Sequence, residues 1–359
     1  MNIVILGLAI TSSWGNGHAT TYRALVRGLA ARGHRVLFLE RDTPWYADNR
    51  DLPRPGYCRV GIYQHPAEIE AAYSSAIEAA DLVIVGSYVP DGATVADIVL
   101  RTARGCTAFY DIDTPVTLAA LQERPSTEYI ARRQIPRFDL YLTFTGGPTL
   151  RRLEREFGAQ RARPLYCSVD ADMYFQEKRV PKDYDLGYLG TYSIDRQPTL
   201  EALLIEPARR WPAGRFVVAG AQYPDSLDMP PNVERIVHLA PGEHRRFYNR
   251  QRFALNVTRR DMIAAGYSPS VRLFEAAACG VPIISDDWPG LSTLLEPGRE
   301  ILIAANARDV LACLHELPEE ERLAIAARAR TRVLASHTSD HRATELERYV
   351  YETRERRSA

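Results

Sequence analysis

Short apolar runs alternate with amphipathic segments along most of the chain. One amphipathic helix is predicted from about Ala19 to Ala31 and ends at Gly33, and helical patterns separate most of the apolar runs. Alternation of strands and helices is typical of a doubly wound parallel sheet, which binds ligands beyond the carboxyl ends of its strands. In the first half of the chain, buried strands are predicted at residues 2–7, 35–39, 82–85, 107–110, 140–144 and 164–166.

The alternation stops at a polar, irregular stretch and then starts again. The second half is predicted to contain strands at residues 185–189, 215–219, 233–238, 253–257 and 281–285, and helices at 199–209, 244–251 and about 336–354. We therefore expect an α/β protein with two doubly wound domains. The predicted divisions are residues 1–168, a linker at 169–184, residues 185–335, and a C-terminal segment at 336–359.

The helix with the clearest end signals is predicted at residues 268–280. Ser268 is expected to cap its first free amides, and Pro269 to occupy the first helical position. Gly280 is expected to adopt the left-handed conformation that ends a helix. The face that carries Ser268, Arg272, Glu275 and Cys279 is polar, and the remaining positions are apolar. So apolar a helix should be buried, with its polar stripe open to a cleft.

This stripe suits a phosphorylated ligand. A helix amino terminus offers free amides and a positive dipole, so a diphosphate is expected at Ser268 and Ser270. Arg272 would add a bidentate donor, and Glu275 would accept hydrogen bonds from sugar or ribose hydroxyls. The alternative is a surface ion pair between Arg272 and Glu275, worth only a few tenths of a kcal/mol.

The segment from Gly266 to Asp286 resembles the donor-site motif of two-domain glycosyltransferases with the GT-B fold, and more narrowly the CgeB-type group related to spore maturation. Residues 185–196 and 15–18 support the resemblance, which spans nearly the whole chain. It implies two Rossmann-like domains that face a cleft, a last helix that returns to the first domain, and metal-independent sugar transfer. It also implies a donor site that includes Gly17, His18, Gly190, Tyr192, Tyr267 and His238.

The chain departs from this family at one position. Retaining members carry a glutamate eight positions before the residue that matches Glu275, and this chain has Tyr267 there. The stereochemistry of transfer therefore stays open. With this replacement, we expect Glu275 to bind ribose and Tyr267 to stack on the donor.

Two further residues are candidates for catalysis on grounds of their own. Arg196 follows a glycine-rich turn at the start of a predicted helix, where a cation is unfavourable unless an anion joins it. Asp113 ends the triplet Asp111-Ile112-Asp113 after a strand, and it either acts as a general base or caps the next helix. The predicted catalytic set is Asp113, His18, Arg196 and Arg272.

A dinucleotide site is an alternative, because residues 15–20 nearly spell G-x-G-x-x-G and Glu40 stands where a ribose-binding acid would be. However, Thr20 replaces the third glycine, and Gly15 lies eight positions after Gly7, too far for a tight turn. An NAD(P)-dependent oxidoreductase, a nucleotide-sugar 2-epimerase of the same fold and a non-catalytic nucleotide-binding protein stay open as alternatives.

Composition narrows the expected partners. The formal net charge is +0, which argues against nucleic-acid binding through bulk positive potential. Five scattered cysteines predict neither a disulfide framework nor a zinc site, and no metal or cofactor is expected besides the co-substrate. Without an 18-residue apolar run or a leader, the chain is expected to be cytoplasmic, with peripheral membrane contact left open. The donor would be linked to UDP, GDP or TDP, and the acceptor would be a glycan, a lipid-linked glycan, a protein or a small molecule.

Overall fold

Two parallel sheets organise the chain. The computed structural model describes residues 1–358, with side chains through Arg356. Residues Met1–Cys167 and the C-terminal helix form one unit, and Ser168–Thr338 form the other. Residues 169–184, expected as a linker, lie within the second unit.

The first unit contains seven parallel strands in the spatial order β3-β2-β1-β4-β5-β6-β7. The predicted run at residues 164–166 is mostly wrong, because the strand there ends at Pro164. The edge strand β3 was not predicted, because its exposed and buried positions mix and leave no apolar run. The strands are β1 (Asn2–Gly7), β2 (Arg35–Arg41), β3 (Arg59–Tyr63), β4 (Leu82–Gly86), β5 (Cys106–Asp111), β6 (Leu140–Thr143) and β7 (Ala162–Pro164).

Helices connect these strands, and a 3₁₀ helix at Arg132–Arg137 precedes β6. Side chains from the sheet and from the helices together form the apolar core of this unit. The helices are α1 (Gly17–Ala31), α2 (Pro44–Ala47), α3 (Pro66–Glu78), α4 (Gly92–Thr102), α5 (Thr114–Glu123) and α6 (Pro148–Glu156).

The second unit contains six parallel strands in the order β10-β9-β8-β11-β12-β13. These are β8 (Tyr184–Leu189), β9 (Phe216–Ala219), β10 (Val233–Ile236), β11 (Gln251–Asn256), β12 (Ile283–Ser285) and β13 (Leu302–Ile303). The helices are α7 (Gln197–Leu200), α8 (Glu206–Arg210), α9 (Pro241–Asn249), α10 (Arg260–Ala265), α11 (Val271–Ala278), α12 (Ala307–His315) and α13 (Glu319–Ser336). A π-helical turn, Glu201–Ile205, interrupts the helix predicted at residues 199–209, and a 3₁₀ helix spans Leu291–Thr293.

The C-terminal helix α14 (Ser339–Ser358) packs against α1. A side chain at Gly28 would meet the backbone oxygen of Ser339 at 2.5 Å, so glycine permits this close approach. Arg32 also pairs with Glu347 at 2.7 Å. The helix starts later than the predicted residue 336, because α13 occupies the chain up to that point. None of the described helices combines the length and the apolar character needed to cross a bilayer.

Each sheet has one point at which the chain order reverses. In the first sheet β1 lies between β2 and β4, and in the second β8 lies between β9 and β11. In open parallel sheets, ligands bind outside the carboxyl ends of the strands at such a point. The loops after β1 and β4, and those after β8 and β11, are therefore the places to look for a site.

Helix α11 is shorter than predicted, because the chain turns sharply before it. Gly266 and Tyr267 have φ angles of +66° and +48°, and Ser270 rather than Ser268 stands at the N-cap position. The prediction for the other end is confirmed. Gly280 has φ +66°, and the amide of Val281 donates to the carbonyl of Ala276 at 3.0 Å.

Candidate functional site

The side chain of Arg272 lies at the switch point of the second sheet. Its guanidinium stacks over the ring of Tyr188 at 4.8 Å and donates through Nε to the carbonyl of Leu189. Nη1 donates to Oδ1 of Asn256 and Oγ of Ser270, both at 3.2 Å. In the described part of the chain, no carboxylate lies within ion-pairing distance of this guanidinium. The alternative interpretation, a surface ion pair between Arg272 and Glu275, is therefore wrong.

Arg196, next to the start of α7, carries a second cation at this point. Its Nη2 donates to the carbonyl of Thr191 at 2.7 Å, and its buried Nε has no hydrogen-bond partner. Burial lowers the pKa of Arg196, and the positive charge of Arg272 lowers it further. Among the described residues, no carboxylate forms an ion pair with Arg196 either. Two like charges therefore lie close together, and neither forms a direct ion pair with a described carboxylate.

Gly190 makes room for this arrangement. A Cβ at this position would lie 2.8 Å from Nη2 of Arg272 and 2.5 Å from the hydroxyl of Tyr188. The resemblance implied that Gly190 belongs to the donor site, and the structure shows that this glycine allows the close approach of Arg272. Tyr192 follows, with its amide donating to the carbonyl of Ala221 at 2.9 Å and its ring packed edge-on against Tyr223.

The three donor-site residues predicted just before α11 have different surroundings in the structure. Ser270 belongs to the Arg272 cluster, and its hydroxyl donates to Oδ1 of Asn256 at 2.6 Å. Ser268 is buried and donates to the sulfur of Met262, so the prediction that it caps the helix is wrong. Tyr267 is half-buried, and its amide donates to the carbonyl of Pro289 at 2.6 Å.

Glu275 is enclosed rather than open to a cleft, so the prediction for the polar stripe is wrong at this residue. The hydroxyl of Tyr248 donates to its Oε2 at 3.0 Å, and only 2% of the residue is exposed. Burial raises the pKa of Glu275 to about 7, while Tyr174 and Tyr248 act in the opposite direction. Its Oε1 lacks a hydrogen-bond partner of ordinary geometry. Cys279 is buried as well.

His238 lies apart from this cluster. It follows the edge strand β10, which is two strands away from β8, and its side chain is exposed. In the described part of the chain its ring makes no hydrogen bond or ion pair. The strand itself ends at Ile236, earlier than the predicted residue 238, because the positions that follow are exposed.

In the first unit, His18 and Asp113 are brought together at the switch point of the sheet. His18 lies in the first turn of α1, directly after Gly17, and its ring contacts that of Tyr88 edge-on at 5.3 Å. Burial lowers the pKa of His18, and the negative charge of Asp113 raises it. The buried Nδ1 atom of His18 has no hydrogen-bond partner. The imidazole is therefore held neutral beside a carboxylate.

The Asp111-Ile112-Asp113 triplet does not present two equivalent acids. Asp111 is buried and accepts hydrogen bonds from Tyr141 at 2.6 Å, from Thr117 at 2.9 Å and from the amide of Asp113 at 3.2 Å. Burial raises its pKa to about 7. Asp113 stands at the N-cap position of α5, but its side chain makes no capping hydrogen bond. Asp113 therefore occupies the position of a cap, but the predicted capping hydrogen bond from its side chain is absent.

Glu40 does not fit a ribose-binding role. Its carboxylate is buried and accepts hydrogen bonds from the amides of Ile10 and Thr11 at 2.7 and 3.0 Å, and from the Thr11 hydroxyl at 2.6 Å. These contacts hold the loop after β1. The dinucleotide alternative therefore loses the acid on which it depended.

Three residues of the candidate site in the second unit were not predicted from the sequence. Asn256, the last residue of β11, links Ser270 and Arg272, and a polar residue at the end of a buried strand was an available signal. Tyr188 and Tyr248 looked like ordinary core residues, and no local pattern distinguishes them. Asp286, the last residue of the donor-like segment, is buried and accepts hydrogen bonds from the amide and hydroxyl of Thr258, both at 2.8 Å.

Comparisons with known proteins agree on the fold. Residues 196–348 match a family model described as "Glycosyl transferase-like", and no curated protein matches the chain. Sucrose-phosphate synthase from Thermosynechococcus elongatus is 14% identical, with a TM-score of 0.68 over 98% of this chain and 99% of that one. Anabaena Alr3699/HepE in complex with UDP and glucose is 13% identical, with a TM-score of 0.69 over 98% and 100%.

A third similar structure is an alpha-glucosyltransferase in complex with UDP and a 13-mer DNA that contains an HMU base. It is 13% identical, with a TM-score of 0.70 over 98% of this chain and 99% of that one. Likeness at this identity shows the fold, and the predicted pair of Rossmann-like domains is confirmed. The chain therefore has the fold of the GT-B glycosyltransferases, and its residues 196–348 match the glycosyl transferase-like family.

Proposed function

We propose that the chain is a glycosyltransferase that moves a hexosyl group from a nucleotide-diphosphate sugar to an acceptor hydroxyl. The observation that carries this proposal is the pair of guanidinium groups of Arg196 and Arg272, which lie close enough to interact and form no ion pair with a carboxylate of the described chain. Such a pair is unfavourable until an anion joins it. It lies outside the carboxyl ends of β8 and β11, where a diphosphate would bind.

The positive charge of Arg196 and Arg272 would assist the step in which the diphosphate leaves the sugar. Breaking the bond between sugar and diphosphate develops negative charge on the departing group, with an oxocarbenium-like sugar. Arg196, Arg272 and the hydroxyl of Ser270 would stabilise that charge without reorganisation, because the protein already holds them in place. Metal-independent transfer is part of the proposal, since the two guanidinium groups would neutralise the diphosphate.

A uridine donor is favoured over the GDP and TDP alternatives. Anabaena Alr3699/HepE was crystallised with UDP and with UDP-glucose, and the alpha-glucosyltransferase with UDP. Glu275 is not part of the proposed donor site, because the residue is enclosed beside Tyr248. Tyr192, Tyr267 and Gly190 would line the donor, whereas His238 would need a donor that reaches the edge of the sheet.

On the first unit, His18 would act as general base. Its imidazole is neutral near pH 7, so it can accept the proton of an acceptor hydroxyl, and Asp113 would stabilise the imidazolium that forms. Gly17, exposed beside His18, would leave room for the substrate. The acceptor class stays open, although the zero net charge favours a glycan, protein or small molecule over nucleic acid. Assignment to the CgeB-type group and a cytoplasmic location are further parts of the proposal.

A thermal-shift panel of nucleotide diphosphates and nucleotide sugars tests the donor site. We expect UDP and UDP-sugars to raise the melting temperature of the wild-type protein and to have little effect on Arg272→Ala, because a ligand of the native state stabilises it. A panel without any shift would overturn the proposal. Conversion of UDP-GlcNAc without an acceptor would indicate the epimerase instead, and NAD(P)H-dependent absorbance change would indicate the oxidoreductase.

The anomeric configuration of the glycoside product reveals the stereochemistry of transfer. Nuclear magnetic resonance of the anomeric proton distinguishes retention from inversion, which the replacement of glutamate by Tyr267 leaves open. Activity that survives EDTA supports the metal-independent part of the proposal, and activity restored only by a divalent cation contradicts it.

A further inference from the structure

The second unit contains a cavity of about 580 Å³ near the amino end of its first strand. The segment that leads into β8 lines it, together with Arg330 of α13. Lys178 and Lys182, the only lysines in an arginine-rich chain, both line this cavity. The volume falls within the range of ordinary small-molecule sites.

The charge of the lining is strongly positive. Lys178, Arg179, Lys182 and Arg330 contribute four cations, and none of them has a carboxylate within ion-pairing distance in the described part of the chain. Glu177 is the one acid of the lining, and its Oε1 is committed to Arg245 at 2.6 Å. The lining of the cavity therefore carries an excess of positive charge.

Two of the cations are held in place by backbone. The Nζ of Lys182 donates to the carbonyl of Asn249 at 2.6 Å, and the Nε of Arg330 donates to the carbonyl of Ala278 at 3.3 Å. Each uses only part of its donors, since an ammonium has three and a guanidinium five. Burial lowers the pKa of Lys182, and an anion beside it would act in the opposite direction. Lys178 and Arg179 are exposed and complete the charged lining.

This cavity is distinct from the candidate donor site. Lys182 lies two residues before β8 begins, whereas Arg272 contacts Leu189 at the other end of the same strand. A strand of this length separates the two points by about 20 Å. A ligand of the donor site therefore cannot reach the lysines directly.

We propose that this cavity is a second anion site, which binds a small molecule that carries phosphate groups. Lysine and arginine are the side chains that bind phosphate, lysine as a point charge and arginine through paired donors. A cavity of this volume is of the size that suits a small ligand, and the chain as a whole carries no net charge to attract a membrane surface or a nucleic acid.

Isothermal titration with inorganic tripolyphosphate tests the proposal on the full chain. The donor site is a second place where this anion would bind, so the titration is made in the Arg272→Ala background. We expect one saturable site that weakens at least tenfold in Lys178→Gln/Arg179→Gln. Lys182→Gln provides a second variant, so that the test does not depend on one loop.

The matched control is Arg155→Gln/Arg308→Gln, which removes the same charge from exposed positions that form no described ion pair. The proposal would be overturned if tripolyphosphate showed no saturable binding. It would also be overturned if Lys178→Gln/Arg179→Gln and Lys182→Gln bound the anion as tightly as their parent, or if the control lost as much affinity as they do. UDP titrations on Lys178→Gln/Arg179→Gln keep this outcome separate from the proposed function, because the donor site should be unaffected.

Discussion

The hydroxyl of Tyr248 donates a hydrogen bond to Oε2 of Glu275 at 3.0 Å inside the second unit. The pair joins α9 to α11 and places a carboxyl group away from water, on a helix whose other residues are apolar apart from Arg272. Burial raises the pKa of Glu275 from 4.5 to about 7, so the carboxyl retains its proton far above its ordinary range. This has a direct consequence for stability.

Glu275→Gln should make the protein less sensitive to pH. Because the folded state holds the proton more tightly than the unfolded state, the free energy of unfolding falls as pH rises from 4.5 to about 7. The fall contributed by this group is on the order of 3 kcal/mol, and glutamine removes it. Urea unfolding of both proteins between pH 4.5 and 8 measures the difference.

We expect the variant to gain stability relative to wild type across that interval. Asp111, whose pKa is also raised to about 7 by burial, titrates in both proteins and cancels in the comparison. Two curves that stay parallel throughout would show that the carboxyl of Glu275 is not held neutral.

Arg196→Ala and Arg272→Ala should each lower kcat/KM. If these groups stabilise the departing diphosphate, each loss is about 2–4 kcal/mol, or roughly 30- to 1000-fold. Arg308→Ala, an exposed arginine elsewhere in the second unit, serves as the control. The electrostatic role is excluded if both variants keep turnover within about threefold of wild type, or under 1 kcal/mol.

Gly190→Ala should impair the donor site by displacing Arg272. The new methyl group would lie 2.8 Å from the guanidinium and 2.5 Å from the Tyr188 hydroxyl, too close for either to stay. Overpacking of this kind costs about 1–3 kcal/mol of stability, and we expect weaker UDP binding as well. Gly242→Ala is the matched control, because no atom lies within 4 Å of its added Cβ. Equal UDP affinity in both variants would contradict the crowding argument.

Asp113→Asn should shift the pH dependence of kcat. The charge of Asp113 raises the pKa of His18 against the lowering effect of burial, so its removal lowers that pKa further. Activity that depends on neutral His18 falls when the imidazole is protonated, and the acid limb should therefore move to lower pH in the variant. Rate measurements between pH 4.5 and 8 detect the shift.

His18→Gln should lower kcat about 10²- to 10⁴-fold without weakening donor binding. An Asp113→Asn profile that overlays the wild-type profile would show that the two residues do not work together. A His18→Gln variant with unchanged kcat would exclude the histidine as general base.

Most strands of both sheets were predictable, and so was the carboxyl end of α11. The runs at residues 2–7 and 185–189 are almost wholly apolar and flanked by turn residues, so burial on both faces of a parallel sheet follows from the local pattern. Gly280 and Pro282 likewise act within a few residues. The edge strand β3 and the shifted start of α11 were not predictable, because sheet edges mix exposures and Ser268 is drawn to a sulfur contact instead of the helix.

The sequence by itself determined the two α/β repeats, the apolar helix α11 and the presence of arginines near glycine turns, because apolar period and turn chemistry are properties of neighbouring residues. Only the tertiary structure decided which polar groups meet. Glu275 is enclosed by Tyr248 and Arg272 is held by Asn256, partners that lie 27 and 16 positions away. Contacts at such separations depend on how helices pack onto the sheet, which no local pattern encodes.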